Sequence, residues 1–165
     1  MPTNLGVLPS DKPIPGNRIQ IKRGAADIAP AVSNANNGQK YIDGGGGYME
    51  IYYTPLYPCY WIVKSNVMAH GVADGAGWRR WDHSIYISPA DADGISQGVQ
   101  CPHQLYDQTT VEWRSVSATC LFRLNAGIAY TAYLATSYVS AGSAHYHTGG
   151  IWTRIIGRIV GEGTL

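Results

Sequence analysis

From Tyr48 onward the chain alternates apolar and polar residues in short runs cut by turn residues. The runs cover 48–54, 60–70, 78–88, 109–113, 115–124, 128–136 and 151–160. Successive side chains of a strand point to opposite faces, so a period of two predicts strands with one face in a core. Pro55, Pro58, the Gly-rich stretch 71–77, the stretch 89–94, Asn125-Ala126-Gly127 and Gly149-Gly150 separate the runs. Short strands at that spacing predict an all-β protein, an antiparallel β-sandwich. No helical period, heptad or internal repeat competes with this reading.

The last run is the most informative. One face collects Ile151, Thr153, Ile155, Gly157 and Ile159, small and apolar enough for a sandwich core. The other collects Trp152, Arg154, Ile156, Arg158 and Val160. Water rarely faces Trp, Ile and Val together, and a core rarely holds two arginines. Apolar bulk mixed with Arg is the composition of a protein–protein interface. The alternative is an ordinary strand whose arginines reach out to water along their alkyl stems. In 116–124, Val116, Ala118, Cys120, Phe122 and Leu124 share a face that reads as core.

Residues 1–47 differ in character. Prolines at 2, 9, 13, 15 and 30 and the run Gly44–Gly47 leave too little apolar surface for a core. This segment is expected to be an extended N-terminal arm and hinge, followed by the domain 48–165. Within the arm, Arg18, Ile19, Gln20, Ile21, Lys22 and Arg23 alternate like a strand that pairs with another chain or with the domain. The alternative is a disordered tail.

Composition narrows the function. Charged residues make up 14% of the chain, against roughly 25% in a typical soluble protein. Low charge with 12 Tyr and 20 Gly suits an all-β chain that hides surface in an assembly. A net charge of +1 predicts no nucleic-acid or membrane-surface partner. No apolar run is long enough to span a bilayer as a helix, and the first residues lack a signal-peptide pattern, so synthesis and folding in a cytoplasm are expected. Cys59, Cys101 and Cys120 fit neither an even disulfide framework nor a zinc spacing. Cys59 and Cys120 read as buried apolar residues, and Cys101, before Pro102, as part of a loop.

Leu124-Asn125-Ala126-Gly127-Ile128-Ala129-Tyr130, then Ser140-Ala141-Gly142, a Tyr-containing strand through His147, and 152–161 follow one another in an order that resembles a known family. It is similar to the C-terminal half of trimeric jelly rolls of the tumour-necrosis-factor and complement-head type, as adapted in bacteriophage virion proteins. The resemblance covers 48–163 in pattern and about 120–163 in residues. It implies a jelly roll whose first and last strands are neighbours in a sheet facing a threefold axis. That would set Trp152, Arg154, Ile156 and Arg158, together with Tyr48, Ile51 and Tyr53, at a trimer interface.

Candidate chemistry is sparse. His145 and His147 would share a strand face and make a weak metal pair, with no carboxylate or Cys nearby in sequence to complete it. Asp91-Ala92-Asp93-Gly94 starts like a calcium loop but lacks its later ligands and reads as a turn. Trp78, Arg80, Trp81 and His103 form a candidate ligand contact, Arg on Trp being a good protein hot spot. No nucleophile elbow, phosphate loop or metalloprotease helix is present, and a Ser/His/Asp set could only be assembled from scattered residues. The expected function is therefore non-enzymatic and cofactor-free: a capsid cement or decoration protein on the virion surface, made in the host cytoplasm. It would be a homotrimer bound to the major capsid protein, or to other virion proteins, through Arg18, Ile19, Ile21, Lys22 and Arg23. The alternative is a head- or tail-fibre tip that recognises a host glycan.

Overall fold

The structure is a computed structural model of the 165-residue chain and describes residues 19–23, 30–33, 40, 47–71, 79–105, 114–139, 144–147 and 153–161. The described elements are all strands: β1 (Ile19–Arg23), β2 (Pro30–Ser33), β3 (Glu50–Tyr53), β4 (Cys59–Gly71), β5 (Arg79–Ser88), β6 (Gln97–Leu105), β7 (Arg114–Leu124), β8 (Tyr130–Val139), β9 (Ala144–His147) and β10 (Arg154–Val160). Every pairing is antiparallel.

Two sheets pack face to face. One carries β1–β10–β4 with β7 on the other edge of β4, and the second runs β3–β8–β5–β6. With β2 and β9 set aside, every connection except the β5–β6 hairpin crosses from one sheet to the other, and the first strand lies beside the last. This is the connectivity of a double-sheet jelly roll. Beyond the sandwich, β4 runs on to pair Ala69, His70 and Gly71 with β9, and β9 pairs in turn with β2.

The core follows the period of two. Cys59, Trp61, Val63, Ser65 and Val67 point inward from β4; Ala118, Cys120, Phe122 and Leu124 from β7; Tyr130, Ala132, Leu134 and Thr136 from β8; Ile155, Gly157 and Ile159 from β10. Thr153, Ile155, Gly157 and Ile159 are all buried, as the apolar face of the last run predicts. Burying one large aliphatic or aromatic side chain contributes about 1.5–3 kcal/mol, so this inner layer is the main source of stability. Gly157 lies against Trp61, where a Cβ would come 2.4 Å from the indole Nε1.

The loop between β5 and β6 is a built turn. The buried Asp91 carboxylate accepts N–H bonds from Asp93 at 3.0 Å, Ile95 at 2.8 Å and Arg123 at 3.2 Å. Its oxygens thus tie the loop to β7, and Gly94, at φ +80°, takes the left-handed position that a side chain would strain.

Three sequence expectations change. Ile51 and Tyr53, expected at an interface, are 5% exposed and face the core, because they share a parity opposite to that of Tyr48. The strand beside β10 is β1, within the expected arm, whereas β3 pairs with β8 in the other sheet. Of the two partners expected for the alternating residues Ile19–Arg23, it is the chain's own domain that they pair with, along one edge, and the boundary at 47/48 falls between strands of one sandwich. Finally, 97–105 is a strand, with Cys101 opposite His83 and Pro102 opposite Asp82. Pro is tolerated there because β6 is the edge of its sheet.

Candidate functional site

Two outward faces carry the side chains of interest. On the outer face of β1–β10–β4–β7, register places Ile21 beside Ile156, Lys64 and Thr119 in one row. The next row holds Arg158, Ile62 and Leu121, and the one after it Val160, Tyr60 and Arg123. Ile21 is 50% and Leu121 60% exposed, and Ile62, Ile156, Val160 and Tyr60 are half-buried. The charged side chains described on this face, Lys64, Arg123, Arg154 and Arg158, are all cations. Arg123 reaches around to Asp93 at 3.1 Å. Of the residues expected at an interface, Arg154, Ile156 and Arg158 thus share this face, and Tyr48 lies on the opposite sheet.

The outer face of β3–β8–β5–β6 carries a tyrosine array. Glu50, Tyr133 and Tyr86 share one register row, and Tyr52, Thr131 and Ser88 the next. Tyr86 and Tyr133 stack at 5.5 Å with planes 12° apart. The Lys40 ammonium lies 4.3 Å from the Tyr133 ring centre and 5.2 Å from that of Tyr48. It also bonds Glu50 Oε2 at 3.1 Å, and the Tyr52 hydroxyl donates to the other carboxylate oxygen. That bond to Glu50 is the main cause that raises the Tyr52 pKa above its ordinary value. The backbone of Lys40 bridges to Ala135, which seats the lysine at the sheet edge. The sequence pattern does not reveal this array. Its members come from three strands and from Lys40 and Tyr48, which lie outside them, and meet only through register.

A third polar cluster is interior. Ser65 Oγ lies 3.4 Å from His83 Nε2, both fully inside the sandwich. Burial lowers the His83 pKa from 6.5 to about 4, against a weaker opposite pull from the adjacent Asp82. A serine and histidine enclosed by two sheets cannot reach a substrate, so this pair is core polarity and not a nucleophile with its base. Burial likewise raises the thiol pKa of Cys101 and of Cys120, which keeps both protonated and unreactive at neutral pH. All three cysteines are free.

Arg18, Trp78 and Trp152 lie outside the described residues. Arg80 and Trp81 sit on β5, His103 on β6, and His145 and His147 on β9, with their side chains outside the described part. Ile19, Lys22 and Arg23 are placed on β1 in the same way. Among the described residues no three His, Cys, Asp or Glu side chains converge as a metal site requires.

No protein-family model matches the chain, and no curated protein matches it. Among solved structures it is similar to the CBM22-1 xylan-binding domain of Paenibacillus barcinonensis Xyn10C, with a TM-score of 0.34 and 14% identity over 87% of this chain and 83% of that one. At that level of likeness the functional reading rests on this chain's own residues.

Proposed function

We propose that the protein is a structural, non-enzymatic virion protein of a bacteriophage, a homotrimeric jelly roll that decorates and stabilises the capsid. The observation that carries this reading is the outer face of β1–β10–β4–β7. Ile21, Ile62, Ile156 and Leu121 leave apolar surface in water there, and the charged side chains described among them are cations. Apolar area interspersed with Arg fits a protein partner. A twofold self-match would oppose like charges, so a cyclic arrangement that sets this face against a different surface of the next copy is favoured. The resemblance to trimeric jelly rolls agrees with a threefold closure.

Capsid attachment falls to the segment around Arg18, Ile19, Ile21, Lys22 and Arg23. Strand β1 ends its sheet, and among the described residues no strand occupies its second edge. An open edge of alternating Ile and polar residues offers main-chain donors and acceptors to a strand of the major capsid protein. Three such edges on one trimer convert weak contacts into a durable one by effective concentration.

Light scattering at micromolar concentration tests the reading. The mass should be three times the 17.9 kDa of the chain. Ile156→Asp, half-buried on the outer face, should return it to one chain without loss of the β circular-dichroism signal. A wild-type monomer, or an Ile156→Asp trimer, sinks the assembly. Absence of co-sedimentation with capsids of the encoding phage sinks the virion role.

A further inference from the structure

We propose that the outer face of β3–β8–β5–β6 is a binding site for a neutral glycan, seated across the row Tyr52, Thr131 and Ser88. Register sets the large rings of Tyr133 and Tyr86 in the row beside it, while this row carries the small hydroxyl side chains of Thr131 and Ser88. Tyr52 stands at its edge, 59% exposed, and Tyr48 lies beyond Glu50, 47% exposed. A pyranose presents a face of C–H bonds with partial positive charge, which suits the electron-rich face of an exposed phenol ring. Its hydroxyls need donors and acceptors in the same plane. Glu50 supplies a carboxylate already oriented by Lys40 and the Tyr52 hydroxyl, with lone pairs to spare, and Thr131 and Ser88 supply hydroxyls that serve either way.

Charge selects among possible ligands. Lys40 and Glu50 form an ion pair at 3.1 Å, so the described charges around this row cancel and give little field with which to attract an anionic or cationic partner. An apolar partner would bury that pair without replacing its water. A ligand that is uncharged, flat on one side and rich in hydroxyls meets both requirements. The site is also preorganised. Tyr133 is held between the Tyr86 ring and the Lys40 ammonium, and the Tyr86 hydroxyl donates to the Thr136 carbonyl at 3.3 Å. Little side-chain freedom remains to be lost on binding.

This site lies on the sheet opposite the proposed assembly face and is independent of it: a monomer that binds glycan refutes the trimer and leaves this proposal standing. The test is a glycan array of neutral hexose and N-acetylhexosamine oligosaccharides beside sialylated and sulfated ones, probed with the full chain. Isothermal titration with the strongest neutral binder follows. Tyr52→Ala should weaken binding about tenfold, as expected for loss of one stacking ring. Ser88→Tyr, which puts a large ring into this row from an exposed position, should weaken it at least as much. Leu121→Ser, on the other sheet, should leave it unchanged. Binding to no neutral glycan, binding to anionic glycans only, or wild-type affinity in Tyr52→Ala with an unchanged melting curve each overturns the proposal.

Discussion

Replacing Gly157 by Ala adds one methyl at a tightly packed point of the core. The new Cβ would lie 2.4 Å from Trp61 Nε1 and 2.6 Å from Ile51 Cδ1, well inside van der Waals contact. Ile51 Cδ1 ends a flexible side chain and can turn away. The Trp61 ring is fully buried and also packs at 6.1 Å on Tyr53, so its retreat disturbs the layer behind it. Overpacking of this kind costs about 1–3 kcal/mol. Loss of glycine's freedom in the unfolded chain returns about 0.4–1 kcal/mol, so the clash wins. The net loss of about 1–2 kcal/mol should lower the melting temperature by about 2–8 °C for a chain of this size. In urea the midpoint should fall with an unchanged slope. A double-mutant cycle isolates the cause. Trp61→Phe removes the indole nitrogen, one of two buried side-chain polar atoms among the described residues that have no hydrogen-bond partner. In that background Gly157→Ala should cost less, with a coupling of about 1 kcal/mol. A neutral or stabilising Gly157→Ala, or strictly additive costs, would refute the reasoning.

Acid should destabilise the fold through His83. The unfolded chain binds a proton near pH 6.5 that the buried imidazole refuses until about 4. The stability that neutral burial provides is complete above the higher value and falls by about 1.4 kcal/mol per pH unit between the two as pH drops. His83→Gln should flatten that limb, and equal acid slopes for the two proteins would count against it. Asp91→Ala strands three backbone N–H groups and should cost about 3 kcal/mol in a urea titration, whereas Asp93→Asn breaks a bridge to Arg123 whose two side chains are each 49% exposed, and should cost under about 1 kcal/mol. Equal costs at the two aspartates would show that the carboxylate of Asp91 is not what holds the loop.

Alternation made most of the sandwich legible. β4, β7, β8 and β10 fall within a few residues of their expected runs, and the expected core faces hold at Ala118, Cys120, Phe122 and Leu124 of β7 and at Thr153, Ile155, Gly157 and Ile159 of the last run, whereas Val116 is half-buried and Ile151 lies outside the described residues. β6 was hidden because Gln97, Gln100, Pro102 and Gln104 give it neither alternation nor β-rich composition; it is held as an edge by its register with β5. The resemblance groups Ile51 and Tyr53 with Tyr48, but parity along the strand separates them and sends the first two inward. The pairing of β1 with β10 joins residues far apart in sequence, and no local pattern encodes such a partner. The tyrosine array was hidden for the same reason: Lys40, Glu50, Tyr86 and Tyr133 become neighbours only once three strands are in register.

The seat of β1 also bears on the order of events during synthesis. Its partner β10 is the last of the described strands to leave the ribosome, so β1 emerges first and waits longest. Until β10 arrives, Ile19 and Ile21 have no ladder to join, and contacts between such distant segments form slowly because a long loop must close first. Throughout that interval the nascent chain exposes a short, apolar edge able to pair with a neighbouring nascent copy. Slowing translation ahead of β10 should therefore increase aggregation of this chain, and a lysine in place of Ile21 should suppress it.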